Sequence, residues 1–244
     1  MSAERRKRLE RIGRLLKQEN LDVVVLNEVD FEAAWSSHVD QAEIIADSAG
    51  FEHIVRQRNI DVAVPFASLR FGNAVLSKHP ILTAELWRFP ARSLLERVLW
   101  GNHDSVIVRI ELPGTRSSLT IWATHLEVRD AHARVQAASS IVAHARDSSE
   151  PVFVVGDLNS GVRGTSKSAQ QTALDVLLES GLFQAFPSTR DGTPIATFPS
   201  SGPQRTIDWI LVPSDWSLSD GRVLASDLSD HLPVTVTATA PPPR

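Results

Sequence analysis

Apolar residues recur along this chain with two periods, and the switches between them outline its elements. Leu9, Ile12, Leu15 and Leu16 stand at helical spacing among charges, which predicts an amphipathic helix over residues 3–19. Val23-Val24-Val25-Leu26 is a short, largely β-branched run that predicts a buried strand ending at Asn27-Glu28-Val29-Asp30. A helix over 40–50 follows, then strands near 60–65, 72–77, 104–111 and 118–124. Residues 131–146 read as a helix, and Val152-Phe153-Val154-Val155 as a second buried strand, ending at Gly156-Asp157-Leu158-Asn159. A polar loop over 161–168 leads to a helix at 169–180. Proline and glycine mark 187–206 as a long surface loop, and 206–212 and 234–239 read as the last strands. No internal repeat is visible. Hairpin-like strand pairs mixed with helical crossovers predict an α+β (α/β) sandwich rather than a purely parallel sheet.

Composition narrows the class. At 244 residues, 42% hydrophobic and 22% charged, the chain is expected to form one globular domain, 1–244, with a sizeable core. No apolar run approaches the roughly 20 residues of a membrane span, and the charged N-terminus does not resemble a signal peptide, so a cytoplasmic location without membrane insertion is the expectation. There are no cysteines, which removes disulfides, thiolate metal sites and cysteine nucleophiles and leaves O and N ligands for any metal. The formal charge is −4 but uneven: residues 1–17 hold seven Lys/Arg against two Glu, and the remainder 18 basic residues against 27 acidic. An acidic body argues against a protein that coats nucleic acid but leaves room for a nuclease whose cation supplies the positive charge. The Gly-rich dinucleotide and P-loop signatures and G-x-S-x-G are absent.

The candidate chemistry gathers where apolar strands end. Glu28 follows Val23–Leu26, and His125 follows Leu119–Ala123. Asp157 and Asn159 follow Val152–Val155, Asp208 lies within Thr206–Val212, and Asp230 and His231 precede Val234. Asp157 and Asn159, two apart on an extended chain, project to one side. Carboxylates with an amide oxygen are hard ligands that suit Mg²⁺ or Mn²⁺ and leave positions for water and a phosphate. Taken singly, each such residue is as easily a turn former or a cap; their conjunction is the signal.

In that order these residues resemble the motifs of the endonuclease/exonuclease/phosphatase superfamily, the metal-dependent phosphoesterases similar to pancreatic deoxyribonuclease. Leu26-Asn27-Glu28 looks like its metal-binding glutamate segment, Gly72-Asn73-Ala74-Val75-Leu76-Ser77 like its G-N-A-x-L-S strand, and Thr124-His125-Leu126 like its T-H-L segment. Gly156-Asp157-Leu158-Asn159 resembles G-D-x-N, and Thr197-Phe198-Pro199 with Arg205-Thr206-Ile207-Asp208 resembles T-[FWY]-P…R-I-D. Ser229-Asp230-His231 resembles the closing S-D-H. The resemblance covers about residues 8–238. It implies a four-layer sandwich of two packed mixed β-sheets flanked by helices, and a divalent-metal-dependent hydrolase of phosphodiesters or phosphomonoesters that uses metal-assisted attack of water. Glu28 would bind Mg²⁺ or Mn²⁺, with Asp230 a further ligand. Asp157 and Asn159 would hold the nucleophilic water and the scissile phosphate. His231, oriented by Asp208, would act as general base or as a charged stabiliser, and His125 would contact a phosphate oxygen or aid the leaving group. Asn159, His125 and Asn73 would bind substrate.

Two departures stand out. The family's usual opening strand, ending in an Asn that supports the metal, has no counterpart before Leu9. There is no Tyr at all, whereas the abasic-site endonuclease branch places one where His125 stands, so His125 looks more like the deoxyribonuclease and sphingomyelinase branches. Glu96-Arg97 resembles an E-x-R segment of small bacterial relatives, with a surface ion pair as the alternative. Superfamily members act on DNA, RNA, phosphoinositides and sphingomyelin, so the expected partner is a phosphoester of nucleic acid, small molecule or lipid head group, with no obligate protein partner. The alternatives are a catalytically silent relative that binds without turnover and a structural Mg²⁺ site.

Overall fold

The computed structural model describes residues 3–31, 39–64, 67–89, 104–113, 117–163, 170–188 and 192–242. It is a mixed α+β structure with several open sheets and flanking helices, and it divides into two compact units, 1–124 and 125–244. Trp35, Glu96, Arg97 and Trp100, and most of the 161–168 loop, lie outside the described residues.

The first unit opens with helix α1 (Ala3–Gln18), followed by strand β1 (Val23–Asp30), helix α2 (Gln41–Ala49), β2 (His53–Val64), β3 (Ala67–Ser77), β4 (Ile81–Trp87), β5 (Ser105–Glu111) and β6 (Ser118–His125). β1, β3 and β2 form an antiparallel sheet in that order, and β4–β5–β6 an antiparallel meander. α1 buries Leu9, Gly13 and Leu16, and with Phe31, Ile45, Phe51 and Leu76 they form one core. Each large side chain so buried contributes about 1.5–3 kcal/mol. α1 and α2 meet closely at Gly13, where a Cβ would stand 2.4 Å from Ser48 Cβ and 2.8 Å from the Ile45 carbonyl oxygen. α2 starts at an Asp40 cap that accepts from Glu43 N–H and stops at Gly50 with φ 82°, a conformation glycine adopts without strain. β6 is buried at every position, and Trp122, with no exposure, packs against Trp87 at a ring distance of 5.1 Å.

The second unit holds α3 (Ala131–Asp147), β7 (Val152–Asp157), α4 (Ala173–Glu179), β8 (Phe183–Phe186), β9 (Asp208–Pro213), β10 (Ser217–Val223) and β11 (Val234–Thr239). β7, β9 and β8 pair antiparallel in that order, and β10 pairs with β11. β7 is the apolar run 152–155 extended to Asp157, and its first three residues are buried.

Strands β4, β8 and β10 are not legible as apolar patterns. Five of the seven residues of β4 are exposed. β8 has four residues. β10, Ser-Leu-Ser-Asp-Gly-Arg-Val, is exposed and interrupted by a register shift between Ser219 and Arg222, where Asp220 takes φ 51°, and its cross-strand pairing with Val234–Thr239 defines it. The expected strand at 60–65 begins at His53, and the helix expected at 169–180 is confined to Ala173–Glu179 by a Thr172/Asp175 capping box. No helix among the described residues is long and apolar enough to cross a membrane.

Candidate active site

The site of the second unit is built on the ends of β7 and β9. Their register sets Asp157 directly opposite Asp208. Two carboxylates facing each other across a ladder repel unless something cationic or protonated lies between them. His231 supplies that group. Its Nδ1–H donates to Asp208, with Nδ1 2.9 Å from Oδ2 and 3.0 Å from Oδ1, and ligand atoms of Asp157, Asp208 and His231 all lie within 4.8 Å of one another.

Asp208 is fixed from behind. The fully buried Thr197 donates its hydroxyl to Asp208 Oδ2 at 2.6 Å, while Thr197 N–H and O pair with Arg205 O and Leu232 N–H. The ring of Phe198 covers His231, with centroids 4.6 Å apart, and carries Arg205 on it at 4.7 Å. Burial alone lowers the pKa of His231, but the hydrogen bond and charge of Asp208, with the charges of Asp157 and Asp230, outweigh it and raise the pKa above the ordinary histidine value. Asp208 thus favours the charged form of the imidazole.

Beyond β7 the chain turns sharply. Asn159 takes φ 45°, a left-handed conformation that Asn tolerates. Its N–H donates to Asp157 Oδ1 at 2.7 Å and its Nδ2 to Leu126 O at 2.9 Å. Ser160 follows, with its carbonyl accepting from Trp209 Nε1 and its hydroxyl from Ala173 N–H. His125, 5% exposed, has Nε2 3.7 Å from Asp157 Oδ2, which is ion-pair range and too long for a hydrogen bond. Asp230 is exposed beside His231. Thus His125, Asp157, Asn159, Asp208, Asp230 and His231, six strand-end residues from the sequence, share the second unit, five of them joined by the contacts above.

Glu28 and Asn73 belong to the first unit. The β1–β3 register runs Leu26↔Ala74 and then Val29↔Gly72, so Asn27 and Glu28 together oppose the single residue Asn73. Such a bulge re-aims a side chain. Glu28 sits on it with φ 56° and is exposed. Asn73 is fully buried and donates Nδ2 to Gln57 Oε1 at 2.7 Å, which places it behind the bulge. Asn27 Oδ1 and Asn73 Oδ1 are buried without a hydrogen-bond partner.

The sequence profile of the Endonuclease/Exonuclease/phosphatase family matches residues 2–231. The chain belongs to the endonuclease/exonuclease/phosphatase family. Members of this family are hydrolases acting on phosphoester bonds, generally with a divalent metal. Its fold is similar to an endonuclease/exonuclease/phosphatase from Beutenbergia cavernae (21% identity over 95% of this chain, TM-score 0.68), of which it spans 66% of the length. It is similar as well to a mannosyl-6-phosphatase of Bacteroides thetaiotaomicron (14% identity, 96% of this chain and 91% of that one, TM-score 0.70). A third similar structure is the catalytic domain of human Nocturnin with a bound sulfate anion (18% identity, 98% and 88%, TM-score 0.69). No curated protein matches the sequence. At these identities the likeness to solved structures establishes the fold.

The donors present fit the family's cation. In the second unit Asp157 and Asp208 bring carboxylate oxygens within 4.8 Å of each other, and Asp230 is exposed beside His231. In the first, an exposed carboxylate stands at a bulge whose two amide oxygens lack partners. Each unit by itself thus holds hard oxygen donors, the kind that Mg²⁺ and Mn²⁺ prefer. Sequence reasoning missed Thr197 and Phe198 as members of the site; both lie in the T-F-P segment, and only the fold reveals that this loop closes over His231.

Proposed function

We propose that this chain is a single catalytic domain that hydrolyses a phosphodiester or phosphomonoester with the help of Mg²⁺ or Mn²⁺. The observation that carries the reading is the Thr197–Asp208–His231 array set against Asp157, because a histidine held by one carboxylate can place positive charge at a phosphate while a second carboxylate accepts a proton from water. The assignment of Glu28, and separately of Asp230, as cation ligands rests on their motifs. When bound, the cation offsets the negative charge that develops on the non-bridging phosphate oxygens.

The chain's own groups then divide the work. Asp157 orients the attacking water and accepts its proton. Asn159, locked at positive φ, offers its amide to the scissile phosphate. His231, whose charged form Asp208 favours, stabilises the developing charge, and His125 donates to a phosphate oxygen or the leaving group. Asn73 keeps the Glu28 bulge in shape. A fold similar to that of a mannosyl-6-phosphatase, and to a domain solved with sulfate, supports a tetrahedral oxyanion as the ligand.

The test is hydrolysis of bis-p-nitrophenyl phosphate and p-nitrophenyl phosphate by purified protein with Mg²⁺, Mn²⁺ or EDTA. Turnover that requires the cation is expected, and the diester-to-monoester ratio sets the substrate class. A stable protein that binds these esters in every metal and hydrolyses neither would favour the silent binding relative.

A further inference from the structure

The segment after His125 is held from three sides within the second unit. Leu126 N–H donates to Asp157 O at 2.9 Å, and Leu126 O accepts from Asn159 Nδ2 at 2.9 Å. The next two carbonyls, of Glu127 and Val128, both accept from Nη1 of Arg134, at 2.8 and 2.9 Å. Nη1 carries two hydrogens, so one nitrogen fixes two successive peptide planes. Arg134 itself is planted on the first turn of α3, where its N–H donates to Asp130 O and the Asp130 side chain caps the helix through His132 and Ala133 N–H.

The guanidinium is half-buried and faces the carboxylates of Glu127, Asp130 and Asp157. Burial pulls its pKa below the ordinary value and those carboxylates oppose it, so it persists as a cation beside an acidic site. This arrangement is more than a helix cap, since the strap it clamps is the one whose carbonyl orients Asn159.

We propose that Arg134 is a positioning residue for the phosphoester site: by clamping the carbonyls of Glu127 and Val128 it holds Leu126 where it fixes the Asn159 amide and the Asp157 backbone. Only the turnover arm of the test rests on the phosphoesterase reading. Arg134 touches no reacting atom and acts through Leu126.

Arg134→Met keeps the apolar stem and removes every donor. By hydrogen exchange on the full chain, the Leu126 amide is expected to lose at least tenfold of its protection, while Val142 in α3 and Val154 in β7 keep theirs. Where Met costs the fold, Arg134→Gln carries the same comparison, because its shorter amide cannot reach both carbonyls. In the diester assay kcat is expected to fall at least tenfold with KM within twofold, and Arg134→Lys to restore part of kcat. Unchanged Leu126 protection in a folded variant overturns the proposal, as does an equal loss across α3 and β7, which would mark a general structural role. If the wild type has no turnover, the phosphoesterase reading fails, and the exchange result still decides the role of Arg134.

Discussion

Replacing Asp208 by Asn conserves side-chain volume and removes one charge. In the native chain Oδ2 accepts from Thr197 Oγ1 at 2.6 Å and lies 2.9 Å from His231 Nδ1. Asn keeps one oxygen, which the Thr197 hydroxyl takes, and presents its amide N–H to Nδ1. The ring must then accept at Nδ1 and carry its proton on Nε2, neutral. A hydrogen bond to a charged group contributes about 1.5–3 kcal/mol, and side chains 29% and 17% exposed retain most of that. For a protein of this size roughly 2–4 °C in Tm accompanies each kcal/mol, so the variant is expected to melt roughly 3–12 °C lower at pH 6. The pH dependence gives the sharper test. His231 has a raised pKa, so its contribution to stability is complete below the unfolded value of about 6.5 and is lost as pH rises through the higher folded value. The gap between wild type and Asp208→Asn should therefore be widest near pH 6 and shrink toward pH 9. Thermal melts of metal-free protein at both pH values check this, with an NMR titration of the His231 ring alongside. Equal gaps at the two pH values, or the same His231 midpoint in both proteins, would refute the reasoning.

Three further outcomes follow from the same structure. Gly13→Ala gains up to about 1 kcal/mol of helix propensity but forces a methyl against the Ile45 carbonyl; overpacking costs about 1–3 kcal/mol, so a net loss is expected by urea denaturation, and a stabilised variant would show that α1 and α2 are not so close. Asn159→Ala and Asn159→Gly both lose the bond to Leu126, but only Ala pays for φ 45°, so Ala should be less stable than Gly by about 1 kcal/mol while both lose turnover; equal stabilities would contradict the left-handed turn. Glu28→Gln should raise the Mn²⁺ concentration at half-maximal rate at least tenfold and leave Tm nearly unchanged, since the side chain is exposed; an unaltered metal titration would remove Glu28 from the ligands.

How much of this was written in the sequence differs by element. β1 and β7 announce themselves because runs such as Val23–Leu26 and Val152–Val155 are apolar without interruption, and the polar residues that end them are the candidate site residues. β10 has no such pattern, and its strand character comes from pairing with Val234–Thr239, which no local window contains. Glu28 was legible as a strand-end carboxylate, whereas the bulge that turns it outward depends on Asn73 facing two residues across the ladder. The His231–Asp208 pair was legible from the motifs. Thr197 was legible as part of the T-F-P segment but its role was not, and Arg134 was not legible at all, because these roles rest on a contact 11 residues away in sequence and on two backbone carbonyls, which leave no mark on composition or periodicity.

The central claim is that a cation-assisted phosphoester hydrolysis runs through His231 and Asp157. Its most direct test is the rate of bis-p-nitrophenyl phosphate hydrolysis in Mn²⁺ by wild type, His231→Ala and Asp157→Ala, each shown by its melting curve to be folded. The account expects a rate in the wild type that EDTA abolishes and that falls at least a hundredfold in each variant. Folded variants that match the wild-type rate would contradict it.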